Sequence, residues 1–281
     1  MSKIAADGRG GEPMFRGDYH FFDYKGNIAG YSGQDFGFGG MAQNVYLIVS
    51  AVLLVGLLIA LRRTRKETVR RIIGCLGIFL TLFYIAKTSW ETYYDVQFFG
   101  EFNQGLLPLD TCSIIMPAGI LTGFAKGKLQ RMAECWVATG GIVGGLANML
   151  FLNGLKYYPF FSFGAFYSMI WHLLMVFMGL LVIVTNRDRV RFSMVTDGFL
   201  LHLIVSAFVI PFDFIRGFDF MLYRDLGGVP FFESVASGFT ERGMQFLNPV
   251  LMLALYFAAF SLIWLLAAGI KNRKKTPVAV A

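Results

Sequence analysis

Seven apolar runs, most of them near 20 residues long, constrain this chain more than any other feature. They lie near 43–61, 72–90, 107–125, 132–152, 161–185, 194–215 and 249–270. A helix of roughly 20 residues crosses the hydrocarbon core of a bilayer, and a backbone in lipid must satisfy its own hydrogen bonds. The runs therefore predict an all-α, polytopic membrane bundle of about seven transmembrane helices. Composition agrees: 56% of the 281 residues are hydrophobic and 15% are charged, against about 25% in a soluble domain. Three segments follow: a polar, glycine- and aromatic-rich tail over 1–42, a transmembrane domain over 43–270, and a basic tail over 271–281. Residues 1–40 lack a continuous apolar core, so no cleavable signal peptide is expected.

The formal net charge is +7, and its distribution follows the membrane. Basic residues fill alternate connections. Arg62, Arg63, Arg65, Lys66, Arg70 and Arg71 follow the first run. Lys126, Lys128 and Arg131 follow the third, Arg187, Arg189 and Arg191 the fifth, and Lys271, Arg273, Lys274 and Lys275 the seventh. The excess of Lys and Arg in cytoplasmic loops puts the N-terminus outside and the C-terminus in the cytoplasm. A multi-pass protein of a cell membrane, read as a bacterial plasma membrane, is expected. Lys3, Arg9, Arg16 and Lys25 in the outer tail run against the trend. Membrane lipids are the expected partners, and nucleic acid is not. Cys75, Cys112 and Cys135 lie in separate runs, so neither a disulfide framework nor a metal site is expected, and no cofactor is implied. The outer connections are different. Residues 91–104 and 216–247 are acidic and aromatic, and the second is long enough to act as a lid or a re-entrant segment.

Polar side chains at membrane depth are costly, and each is a candidate for function. The third run opens on Leu107-Pro108-Leu109-Asp110-Thr111-Cys112-Ser113. Pro108 suits the first turn of a helix, and Asp110 or Thr111 can cap it. Cys112 then falls near the positive end of the helix dipole, which favours a thiolate, while the Asp110 carboxylate favours the neutral thiol. Asn148 lies in the fourth run behind Gly140-Gly141-Ile142-Val143-Gly144-Gly145, a stretch that permits close helix approach. Tyr167, Ser168 and His172 lie in the fifth run, and Asp197, His202, Ser206 and Asp213 in the sixth. Asp197 reads as an interfacial or capping residue and Asp213 as an outer-interface residue. Lys87 and Glu91, four apart, predict an ion pair.

Cysteine with histidine is the constellation of nucleophilic acyl transfer, the thiolate attacking a carbonyl while imidazole carries the proton. Asn148 can orient the imidazole or donate to an oxyanion. Depth sets a demand. At a rise of 1.5 Å per residue, Cys112 lies about 7 Å below the outer edge and His172 about 17 Å. Helix tilt or uneven segment edges must close a gap of about 10 Å.

Leu107 to Ser113, Gly144-Gly145-Leu146-Ala147-Asn148, Tyr167-Ser168-Met169-Ile170-Trp171-His172 and the Asn248-Pro249 entry to the last run resemble the YwaF-like integral membrane family. That family includes a eukaryotic acyltransferase that remodels ether phospholipids. The resemblance implies a cysteine nucleophile at Cys112 and a histidine at His172. One position departs, since the family pattern leads to His where this chain has Asp110.

Two functions are expected from these residues. The first is phospholipid acyl transfer by Cys112 and His172 with Asn148 in support, in a cavity lined by Asp110, Ser113, Tyr167 and His202. The second is a transporter or lipid-handling protein with a histidine-lined polar path and no covalent step. A retinal protein or receptor does not fit: the last run, Pro249 to Ile270, has no lysine, and no Asp-Arg-Tyr closes the third.

Overall fold

The structure is a computed structural model that describes residues 20–23, 39–100, 104–151, 155, 158–186, 190–224, 237–239 and 242–273. The chain forms an all-α bundle. Its main helices are α1 (Met41–Leu61), α2 (Lys66–Phe99), α3 (Ile115–Phe124), α4 (Gly127–Trp136), α5 (Ile142–Phe151), α6 (Phe163–Thr185), α7 (Ser193–Arg216) and α8 (Asn248–Arg273). Among the described residues α1, α2, α6, α7 and α8 are long and apolar enough to cross a membrane. The other two runs are broken. A 3₁₀ turn (Thr111–Ile114) leads into the short α3, and a π turn (Val137–Gly141) joins α4 to α5.

Four boundaries differ from the sequence reading, each for a physical reason. First, α2 runs on to Phe99 and ends on Gly100 in the left-handed region, φ 72°. Glu91 and Asp95 thus lie on a helix and not in a loop; both are buried, so hydropathy falls before the helix does. Second, Pro108 lies in a turn ahead of the 3₁₀ segment, not in a first helical turn. Asp110 holds the N-cap position with extended backbone, but its side chain caps nothing. Third, the fourth run starts at Gly127, and α2 starts at Lys66, so Arg70, Arg71, Lys128 and Arg131 lie on helices. Fourth, Asp213 near the end of α7 is fully buried within the bundle.

Glycine seams set the helix spacing. A Cβ on Gly123 would come within 2.5 Å of Gly74 Cα, and one on Gly77 within 2.7 Å of the Ile120 nitrogen. These pairs bring α2 and α3 into backbone contact, as small residues do in membranes. A Cβ on Gly145 would meet Val176 at 2.6 Å and the His172 carbonyl oxygen at 2.9 Å. The glycine stretch after the π turn therefore presses α5 onto the His172 turn of α6.

Among the described residues, the topology sends the basic stretches 62–71 and 126–131 and Arg191 to one end. Buried charges there are matched: Arg70 donates to Glu134 at 2.9 and 3.3 Å, and Asn186 donates to Glu134 at 2.8 Å. Arg131 pairs with Asp197 at 2.9 Å, which gives Asp197 a bundle contact in place of a capping role. At the other end the Lys87–Glu91 pair forms as expected, and Tyr158 donates to the same carboxylate at 2.5 Å. Part of the N-terminal tail docks here. The Phe163 amide donates to the Phe21 carbonyl and the Trp90 indole to the Phe22 carbonyl, at 2.7 and 3.0 Å. Of the expected loop and tail residues, Lys3, Arg9, Arg16, Lys25, Arg187, Arg189, Lys274 and Lys275 lie outside the described residues, as do 225–236 and 240–241 of the expected lid or re-entrant segment.

Candidate functional site

A cavity of about 750 Å³ opens among α2, the 104–114 segment, α5, α6 and α8. It lies at the end away from the basic clusters. Its wall carries Asp110, Cys112, Ser113, Asn148, Tyr167 and His172. His202 is not on that wall. It is fully buried, with its ring 4.2 Å from that of Tyr256, which does line the cavity.

The 3₁₀ turn delivers Cys112. The Ser113 amide donates to the Asp110 carbonyl at 2.9 Å, closing the turn around the cysteine. Thr111, one residue before, exchanges a hydrogen bond with the Tyr256 hydroxyl at 2.5 Å. Ahead of the turn, the Tyr84 hydroxyl donates to the Leu106 carbonyl, and this ties 104–106 to α2. The cysteine is half-buried, whereas Cys135 is buried in the core and Cys75 is exposed on the outside of α2.

Helix periodicity delivers the rest. Gly141, Gly144, Gly145 and Asn148 share the α5 face that meets α6, being three to four residues apart. Asn148 thus reaches the cavity because the glycines before it leave room. On α6, Ser168 and His172 share a face. His172 Nδ1 lies 2.7 Å from the Ser168 carbonyl oxygen and 3.3 Å from its hydroxyl. A carbonyl only accepts, so Nδ1 carries the proton, and Nε2 is left with its lone pair. Among the described residues Nε2 has no hydrogen-bond partner, and the Asn148 Oδ1 atom has none either. His172, Asn148 and Cys112, an imidazole, a carboxamide and a thiol, therefore line one chamber. The depth gap in the sequence reading assumed seven spans with level outer edges. The third run instead begins its helix late and its first residues fold over the chamber.

Some lining residues went unread in the sequence. Tyr256 is the clearest. Tyrosines in apolar runs read as lipid contacts, yet a buried phenol needs a partner for its hydroxyl. Behind it, His202 Nε2 lies 3.2 Å from the Tyr223 hydroxyl, which lies 2.5 Å from Ser206 Oγ. Burial pushes the Tyr223 phenol up to about 12, so it keeps its proton at neutral pH. No group of three or more His, Cys, Asp or Glu with metal-binding geometry occurs among the described residues.

In comparison with known proteins, the family model described as the TMEM164 family matches residues 38–267. No curated protein and no solved structure matches the chain.

Proposed function

The chain belongs to the TMEM164 family, and from that premise we propose that it is a phospholipid acyltransferase of the cell membrane with a Cys/His pair. The observation that supports this most is the shared wall of Cys112 and His172, with the imidazole Nε2 unpartnered. The YwaF-like resemblance assigns the same two residues. The excess of Lys and Arg at the opposite end supports an outer location for the chamber.

The reaction runs in two halves. His172 Nε2 takes the proton of the Cys112 thiol, and the thiolate attacks the ester carbonyl of a donor lipid. The tetrahedral intermediate collapses with loss of the lysolipid alkoxide, which takes the proton back from His172. Cys112 then holds the acyl chain as a thioester. The hydroxyl of an acceptor lysolipid gives its proton to His172, attacks the thioester and expels the thiolate, which regains that proton. Asn148 supports the oxyanion or the imidazole. Asp110, Ser113 and Tyr167 shape the chamber around the acyl group. A transport path through His172, His202 and Asn148 has less support, because His202 lies behind Tyr256 and off the cavity wall.

Intact-mass measurement of the purified protein after incubation with phospholipid vesicles tests the proposal. The expected product is a mass gain of one acyl chain that hydroxylamine removes. Cys112→Ala abolishes it, and an iodoacetamide probe marks Cys112 ahead of Cys75 and Cys135. Undiminished acyl transfer by Cys112→Ala refutes the mechanism.

A further inference from the structure

Tyr256 stands in an unusual position for a tyrosine on a membrane helix. It lies on α8, is 8% exposed and lines the cavity. Its hydroxyl is bonded at 2.5 Å to Thr111, the residue directly before Cys112. Its ring rests on the imidazole of His202 at 4.2 Å, and that imidazole is held from behind by Tyr223. The phenol is thus fixed at its ring and at its oxygen, on the wall it shares with Cys112.

An acyl-transfer site needs such a group. The carbonyl oxygen of the ester gains negative charge as the tetrahedral intermediate forms, and fixed donors in a dry site stabilise it. The backbone amide after the nucleophile is a common donor on other folds. Here that amide, of Ser113, is already committed to the Asp110 carbonyl at 2.9 Å. A side chain can supply the contact instead. The Thr111–Tyr256 bond permits this, since either hydroxyl can be the donor. When Thr111 donates to the phenol oxygen, the phenol proton is free to point into the chamber.

Resting on the acyl-transfer reading above, we propose that Tyr256 is a catalytic residue whose hydroxyl donates a hydrogen bond to the developing oxyanion. As the Cys112 sulfur bonds to the carbonyl carbon, the π pair moves onto oxygen and meets the Tyr256 O–H. Tyr256 gives a hydrogen bond and keeps its proton. The pair then re-forms the carbonyl as the ester C–O bond breaks, and the leaving oxygen takes its proton from His172. Asn148 is the second donor. Thr111 acts through Tyr256 and is a positioning residue.

Two chromogenic donors test the role: p-nitrophenyl octanoate and its thionoester, in which C=S replaces C=O. The thiocarbonyl sulfur accepts hydrogen bonds weakly, so it does not profit from an oxyanion donor. Tyr256→Phe keeps the ring on His202 and removes only the hydroxyl. The nitrophenolate burst with the ester is expected to slow about 10²-fold, with KM and the thionoester rate changed by no more than about two-fold. Thr111→Val is expected to give a smaller loss of the same selectivity. Alkylation of Cys112 by iodoacetamide at the wild-type rate confirms that the fold is intact. An ester burst in Tyr256→Phe at the wild-type rate overturns the proposal, and so does an equal loss on ester and thionoester. A wild-type burst in Cys112→Ala instead removes the acyl-transfer reading itself.

Discussion

Each end of this bundle holds buried ion pairs, and the cavity end adds a buried imidazole and a carboxamide oxygen without a hydrogen-bond partner among the described residues. At the basic end the buried charges are matched to one another. Glu134 is 2% exposed and holds both Arg70 and Asn186, and Arg131 holds Asp197. At the cavity end His172 Nε2 and Asn148 Oδ1 are buried without a hydrogen-bond partner among the described residues. A buried group that is satisfied by the fold serves the fold, because breaking a buried pair leaves an uncompensated charge. One that is held on one side and unpartnered on the other is a candidate for a role outside the fold. His172 is of the second kind, since Ser168 fixes one ring nitrogen and nothing takes the other.

That contrast can be broken by substitutions at both ends. The largest effect is expected from His172→Ala, which should slow acyl-adduct formation by about 10²–10⁴-fold while thermal unfolding in detergent stays near wild type. Glu134→Ala should do the reverse. It strands the Arg70 guanidinium and should cost about 3–5 kcal/mol of stability, read as a lowered midpoint of unfolding, with the per-molecule burst of the folded fraction unchanged. If both variants lose stability alike, the two ends are not different in kind. Gly123→Ala sharpens the link between packing and site. The added methyl meets Gly74 at 2.5 Å, and overpacking of this kind costs about 1–3 kcal/mol. Because α3 carries the Cys112 turn at its start, iodoacetamide labelling of that thiol should change as well. The smallest effect is expected from Arg131→Gln. That side chain is 46% exposed, and a partly exposed pair contributes on the order of 1 kcal/mol or less, which unfolding curves in high and low salt would bound.

Much of the bundle could be read from hydropathy, because an apolar run of membrane length has few other destinies. Five runs became unbroken helices. The reading failed where polarity is inside the protein and not outside it. Glu91 and Asp95 looked like loop residues, yet they are 3% and 4% exposed on α2; a window average registers their charge but not the partner that neutralises it. The third run failed differently. Its proline suggested a helix start, whereas the chain makes one more turn before the helix begins. The candidate residues Cys112, Asn148 and His172 were legible because polar groups are rare at depth. Tyr256 was not, because a tyrosine among many aromatics carries no mark of where its hydroxyl goes.

The π turn at Val137–Gly141 has a consequence for how this chain tolerates change in length. Such a turn takes in one more residue than the α-helix does. An α-helix rotates by about 100° per residue, so an insertion or deletion elsewhere in 127–147 would swing Asn148 round the axis and out of the chamber. Within the bulge, loss of one residue restores an ordinary helix and leaves both flanking faces aimed as they are. The chain thus carries, in mid-span, a built-in slack link between the half of that rod that holds the charged end together and the half that serves the chamber.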